Sequence, residues 1–376
     1  METPNSSLWS ELPMDILRSV FKRLTFIDFH RAKIVSSNWY SCSKQTLPKK
    51  NRSPWLILFP ENDVCALYNP DEARVYKTKR DFSGIRFLAN SGNWFLVLDS
   101  KSNLYIIDLF SERKIHLPPL ESMKSGHYSL ERVGDNDFKN AKDLRGLLWV
   151  NDKKEEEYIV VWYVDIKYIA VCKNGEDHYR SIPRRLVSIV ESDTILQGGG
   201  DSLYLSLNSP FIQKLDLSRQ EGFKELTEND VTIMPFYSPC RHGDYYDTTF
   251  RNKIVVTTSG ELLLVVIIFY EATRHRVFHL YKKDHSSTNS SSLVKVHSLG
   301  DEALILDLGI TVPAYHTLGI EPNSIYFTRC DRACKGSLEP SYLDICVFNL
   351  VTKRSKRFPG LSNIRLTDAW WFLPSS

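Results

Sequence analysis

Hydrophobic positions follow two different periods along this chain. Between residues 12 and 24 the period is helical: Ile16, Leu17, Val20, Phe21 and Leu24 recur at i, i+1, i+4, i+5 and i+8, on one stripe, while Asp15, Arg18, Lys22 and Arg23 fall on the rest of the surface. Pro13 suits the first turn of this helix, and Asp15 near its start and Lys22 and Arg23 near its end suit the helix dipole. Thr25 and Asp28 resemble a capping box and predict a second short helix, and Ser36 or Ser37 can cap a third that Pro48 ends. Three helices this short bury little surface alone, so an exposed apolar stripe ending in a Trp predicts completion by a partner.

After a polar linker at residues 48–54 the helical period disappears. A short apolar strand, a polar turn and a second strand recur as Cys65–Thr78, Leu104–Pro118, Ile169–Pro183, Ile212–Thr227, Val277–Ser298 and Ile345–Gly360. Most copies have a further strand just upstream: Trp55–Phe59, Trp94–Leu98, Tyr158–Val164, Leu203–Leu207, Leu262–Phe269 and Ser324–Thr328. Several of these follow a turn signal, such as Gly198–Asp201 or Ser259–Glu261. The shorter spacings between copies match one propeller blade of ~40–50 residues, and the longer ones require insertions. The expected fold is therefore α+β and multidomain: a small three-helix head at 8–50, then an all-β propeller-like domain of about six blades at 54–376. An irregular pair of β-sandwiches is the alternative.

Two motifs carry a resemblance. Leu12-Pro13, Ile16-Leu17, Val20-Phe21, Leu24, Asp28-Phe29, Ala32, Val35 and Trp39 match the F-box pattern in order and spacing, with Ser36 where many F-boxes have Cys. Ser298–Leu304 followed by Pro322–Phe327 resembles a large plant family of F-box proteins whose C-terminal half is a kelch-like domain of unknown function. The Leu-Gly-Asp-Glu-Ala stretch within it reads as a turn between strands. The resemblance implies a non-catalytic substrate-recognition subunit of a Skp-cullin-F-box ubiquitin ligase. Its partners would be a Skp-type adaptor, through it a cullin-RING ligase, and an unknown protein substrate. By position, Leu12, Pro13, Ile16, Leu17, Val20, Val35 and Trp39 would face the adaptor.

Composition changes the picture in three places. The net charge of +3 divides unevenly: residues 1–50 hold eight Lys/Arg against four acids, leaving 40 against 41 for the rest. A basic head fits an acidic partner or a solvated helical surface, but eight charges over fifty residues are a thin footprint for nucleic acid. Residues 1–9 do not read as a signal peptide, and the longest apolar run, Leu262–Tyr270, is too short to span a bilayer. The seven cysteines are odd in number and scattered, which suggests free thiols in the cytoplasm, the nucleus or both.

No catalytic signature stands out, and no cofactor or metal is expected. His316, Cys330 and Cys334 lack a second ligand pair for zinc, and His275 and His279 share a strand face without a third ligand. The alternative of a propeller enzyme or metabolite-binding protein with a helical cap stays open. The serine-rich tract 284–292 predicts a loose hairpin tip, and Lys353–Arg357 reads as an import signal or a solvated turn. The insertions expected at 117–158, 227–254 and 284–293 are where recognition loops collect. Tyr237, Arg241, Tyr245 and Tyr246 offer aromatics beside charge and are the candidate target-binding residues, with a satellite core under the loop as the other reading.

Overall fold

The computed structural model describes residues 9–46 except 25, 53–123 except 62, 63, 79–81 and 83, and 144–182 except 152, 153, 155, 156 and 165–167. It further describes 194–197, 201–206, 211–217, 231–233, 248–284 except 271, 272 and 274, residue 286, 293–315, 319–328, and 345–374 except 362 and 363.

The head is three helices: α1 (Met14–Phe21), α2 (Phe26–Ala32) and α3 (Ser37–Gln45). Pro13 lies just outside α1 in an extended conformation, rather than in its first turn. Ser36 caps α3, its hydroxyl accepting the Trp39 N–H at 3.3 Å. The apolar stripe closes on itself as a small core of Leu17, Phe21, Phe29, Ala32, Trp39 and Cys42. Phe21 is its hub, meeting Phe29 edge-on at 5.0 Å and Trp39 at 5.6 Å.

The strands then follow blade by blade. The first blade holds β1 (Trp55–Pro60), β2 (Ala66–Asn69) and β3 (Arg74–Lys77). The second holds β4 (Arg86–Ser91), β5 (Trp94–Leu98), β6 (Leu104–Asp108) and β7 (Lys114–His116). The third is β8 (Leu144–Val150), β9 (Tyr158–Val164), β10 (Tyr168–Lys173) and β11 (Arg180–Ser181). The fourth is β12 (Thr194–Gln197), β13 (Ser202–Ser206), β14 (Phe211–Asp216) and β15 (Val231–Ile233). The fifth is β16 (Thr248–Val256), β17 (Leu262–Tyr270), β18 (His275–Lys283) and β19 (Leu293–Val296). The sixth contains β20 (Glu302–Ile305), β21 (Ile310–Pro313), β22 (Ser324–Phe327), β23 (Cys346–Asn349) and β24 (Ser355–Arg357). The last strand, β25 (Leu366–Phe372), returns to pair with β1 and completes the first blade in the order β25-β1-β2-β3.

Six apolar clusters, one at each seam between neighbouring blades, show that these units form a ring. On β1, Trp55 and Ile57 face the second blade, while Leu56 and Leu58 face the sixth. On β25, Trp370 and Phe372 face the second blade and Ala369 and Trp371 the sixth. The remaining clusters join second to third, third to fourth, fourth to fifth and fifth to sixth. β5 and β17 are buried on both faces, so they are continuous apolar runs rather than alternating ones, whereas outer strands such as β3 and β24 are exposed.

Two polar devices hold the sixth blade, the first of them against the closing strand. The carboxylate of Asp307, in the turn between β20 and β21, accepts the Trp371 N–H at 3.0 Å and the Thr328 hydroxyl at 2.8 Å. The Trp371 indole N–H in turn donates to the Phe327 carbonyl at 3.1 Å. The second device joins the two halves of the plant-family motif. Asn323, at φ +56°, accepts the Leu299 N–H at 2.7 Å through Oδ1 and donates to the Gly300 carbonyl at 3.0 Å through Nδ2. It thereby fixes the Leu299–Asp301 turn where the chain enters β20, and β20 pairs in parallel with β22. Asn is among the few non-glycine residues at home in this left-handed backbone region.

The sequence-derived hairpins correspond to the outer strands of the blades, with one shift: the fourth copy was expected to end at Thr227, whereas β15 lies at Val231–Ile233. Two intervals read as insertions contain strands: the innermost β8 lies within 117–158, and the outermost β15 and most of the innermost β16 lie within 227–254.

Candidate functional site

The helical head presents an apolar outer surface. Trp9 is 67% exposed, Ile16 47%, Ile34 63%, Val35 53% and Tyr40 42%; these are half of the ten large hydrophobics exposed among the described residues. They come from the segment before α1, from α1 itself, from the α2–α3 turn and from α3. Pro13 is exposed beside them, with Leu12 and Val20 half-buried. Two residues expected on this face are not on it. Leu17 is 0% exposed and Trp39 8%, because the stripe that the helical period picks out is the one that packs inward against α2 and α3. Trp9, Ile34 and Tyr40 take their place on the surface.

Trp39 positions the face without belonging to it. Its indole N–H donates to the Trp9 carbonyl at 2.7 Å, and the neighbouring Asn38 side chain donates to the Leu12 carbonyl at 2.9 Å. The segment before α1 is thus held against α3, which fixes where Trp9 and Leu12 stand. Arg18 on α1 reaches Gln45 on α3 at 2.6 Å. Lys22 and Lys44 are exposed at the helix surfaces, and Lys44 lies over the Tyr40 ring at 4.6 Å, so the apolar face is bordered by positive charge.

The head also touches the ring. His30 on α2 stacks on Phe110 at 4.9 Å with 28° between the planes. Phe110 sits in the turn after β6, where Asp108 Oδ1 accepts its N–H at 2.8 Å, and it meets Trp55 of β1 in a T-shaped contact at 6.1 Å and Phe372 of β25 in a tilted one at 6.3 Å. Burial, reinforced by the charge of Lys33, pushes the His30 pKa down to about 3, so the ring is neutral at the contact.

Tyr237, Arg241, Tyr245 and Tyr246 lie outside the described residues, as do Gly198–Gly200, His316, Cys330, Cys334 and most of the serine tract. Lys353–Arg357 form an exposed turn and the edge strand β24. Among the described residues no three His, Cys, Asp or Glu side chains gather as a metal site would require, and no helix is long and apolar enough to cross a membrane. The described cysteines Cys42, Cys65, Cys172 and Cys346 are buried and free, and burial raises the Cys65 thiol far above its ordinary range and Cys172 to about 12.

A three-helix head with an apolar outer face, seated on a six-bladed ring, defines a β-propeller protein with an F-box. Comparison with known families agrees: the F-box domain matches residues 9–51 and the KIB1-4 β-propeller matches residues 67–349. The chain belongs to this family of plant F-box proteins with a KIB1-4 β-propeller. In Arabidopsis thaliana it is 58% identical to F-box protein At5g25290, over 98% of this chain and 97% of the relative. F-box protein At2g14290 is 46% identical over 100% and 99%, and F-box protein At2g14500 is 46% identical over 88% and 98%. Among solved structures, the β-propeller domain of Cps50 (Swd1) from Myceliophteria thermophila covers 78% of this chain and 78% of its own at 8% identity and a TM-score of 0.33, a likeness too slight to carry weight.

Proposed function

We propose that this protein is the substrate-recognition subunit of a Skp-cullin-F-box ubiquitin ligase. The observation that carries the reading is the apolar outer face of the helical head, Trp9, Ile16, Ile34, Val35 and Tyr40, exposed on a module that matches the F-box domain. Large apolar side chains exposed together on one small module and accompanied by charge fit a protein-docking surface. A Skp-type adaptor docks there and joins the chain to a cullin, while the propeller holds the protein to be modified. Leu12, Pro13 and Val20 border the docking face, and Leu17 and Trp39 support it from within.

The protein performs no chemistry of its own in this reading. It raises the concentration of a target beside a charged ubiquitin carrier, and binding energy is converted into proximity. The His30–Phe110 stack supports that role, because a head seated on the ring holds adaptor and target at a fixed separation. The buried free thiols fit a reducing compartment, cytoplasm or nucleus. Neither nucleic acid nor membrane is a partner in this reading.

The test is capture of a Skp-type adaptor and a cullin by the full-length chain, compared with Ile16→Asp combined with Val35→Asp. The wild type should retain both proteins and the double variant neither. Equal capture by a folded double variant refutes the docking face.

A further inference from the structure

The stack between head and ring involves a residue that belongs to neither core. Within α2 two neighbouring side chains part company. Phe29 packs into the head among Leu17, Phe21, Trp39 and Cys42. His30, only 4% exposed, is outside that cluster and lies on Phe110 of the second blade at 4.9 Å. Among the described residues no helix of the head lies along a strand of the ring, so the stack stands at a narrow junction.

Phe110 is held in a fixed place. Asp108 Oδ1 accepts the N–H groups of Phe110 at 2.8 Å and Ser111 at 2.7 Å. Glu112 N–H donates to the Asp108 carbonyl at 2.9 Å, and Leu109 N–H to the Asn93 carbonyl at 3.1 Å. Trp55, which Phe110 meets, is itself stacked on Tyr76 at 5.8 Å. Phe110, Trp55 and Phe372 share the cluster between first and second blades, where β25 closes the ring. The head is thus seated on the closing seam.

Neither fold needs His30. The head keeps its six-residue core without it, and the seam keeps Trp55, Phe87, Phe95 and Phe372. What the stack fixes is the relation of one body to the other, and an aromatic pair constrains angle as well as distance. In a receptor that relation decides reach. The adaptor and cullin bring a ubiquitin thioester to the head's side, and acceptor lysines stand on the ring or on what it holds. The lysine amine attacks the thioester carbonyl, an isopeptide bond forms, the amine gives up a proton, and the carrier leaves as its free thiol. Its rate follows how often amine and carbonyl are within attack distance.

We propose that His30 and Phe110 are positioning residues for ubiquitin transfer: their stack holds the head in one orientation on the ring and confines transfer to the lysines which that orientation brings within reach. The consequence for transfer rests on the receptor reading, whereas the orientation belongs to the chain alone and is measured without the ligase.

The orientation is read by small-angle X-ray scattering of the purified full-length chain, wild type against His30→Ala and His30→Phe. The wild type should scatter as a single compact body, and His30→Ala should show a larger maximum dimension. His30→Phe keeps an aromatic ring on Phe110 and should match the wild type. Transfer is read in a ligase reconstituted from the same chains with a Skp-type adaptor, a cullin, its RING subunit and a loaded ubiquitin carrier. The chain's own lysines serve as acceptors and are located by mass spectrometry. His30→Ala should slow modification of the lysines preferred in the wild type roughly threefold or more and spread ubiquitin to others, with adaptor capture unchanged. His30→Phe should restore the narrow pattern. A packing role alone would lower the melting temperature and leave the pattern as it is, which overturns the proposal. Scattering of folded His30→Ala identical to the wild type overturns it too, as does a His30→Phe chain that behaves like His30→Ala. Loss of adaptor capture by the wild type refutes the receptor and with it the role in transfer, and scattering still decides whether the stack sets the orientation.

Discussion

Ring closure should depend on one carboxylate. Asp307 accepts the backbone N–H of Trp371 at 3.0 Å and the Thr328 hydroxyl at 2.8 Å, and both Trp371 and Thr328 are wholly buried. Asp307→Ala takes the acceptor from the Trp371 N–H, and a buried donor without a partner costs about 1–3 kcal/mol. Loss of the charge-assisted bond from Thr328 adds about 1.5–3 kcal/mol. The expected destabilisation is about 3–5 kcal/mol, a large part of the ~5–15 kcal/mol that holds a typical domain together. Asp307→Asn keeps an acceptor oxygen and should lose about half as much. Trp371 lies at the seam beside Asp307, so thermal unfolding followed by tryptophan fluorescence reads the event directly. We expect a fall in melting temperature of roughly 5–10 °C for Asp307→Ala. Adaptor capture should persist, since the head has its own core. A shift under about 1 °C would show that apolar packing at the seam closes the ring without the carboxylate.

Ile16→Asp with Val35→Asp should abolish adaptor capture in a pull-down and leave the melting temperature within about 1 °C of wild type, because both side chains are already in water. Trp39→Ala should also lose capture, but by a different route. It empties the centre of the head core, at a cost of about 3–5 kcal/mol, and helical circular dichroism should fall with it. For His30, the folded pKa is depressed to about 3 by burial and then by Lys33, so the neutral form is the one the contact holds. Its stabilisation is complete above the ordinary imidazole pKa and is lost as pH falls toward about 3, by a few kcal/mol in total. His30→Phe should keep the stack on Phe110 and flatten that part of the pH dependence, which chemical unfolding between neutral and mildly acidic pH would show.

The head was legible because its period is local. A stripe at helical spacing, a Ser cap and a Pro close to the start of the first helix are all read within a few residues, although Pro13 was placed inside the first turn and lies just before it. What the period cannot say is which way the stripe points. The F-box positions assigned Leu17 and Trp39 to the outer face, whereas both face the core, and they passed over Ile34 in the α2–α3 turn and Trp9 before α1, which face water. An apolar pair in a turn, Ile34-Val35, was the available signal, since a turn has no inner face of its own to bury both. In the ring, the outer strands announced themselves through hairpin turns. The inner strands did not: β8 alternates through Arg145 and Gly146, and β16 opens on Thr248-Thr249. The pairing of β25 with β1 left no local trace, because its partner is at the other end of the domain. The candidate target residues from Tyr237 to Tyr246 fall outside the described residues.

The strand that closes the ring also sets an order of events during synthesis. The ribosome releases the chain from its N-terminus, so α1, α2 and α3 can form while β25 does not yet exist, and the first blade waits for its innermost strand throughout. A messenger cut or nonsense codon upstream of Leu366 therefore leaves a finished head on a ring that cannot shut, and on the receptor reading such a product is something other than null. Such a fragment would occupy adaptor and return no modified target. Expressed beside the intact protein, a chain stopped at Gly360 should lower the share of adaptor carrying the full-length receptor in proportion to its own abundance. Alleles of this family that lose only the last strand would then behave as dominant rather than recessive lesions.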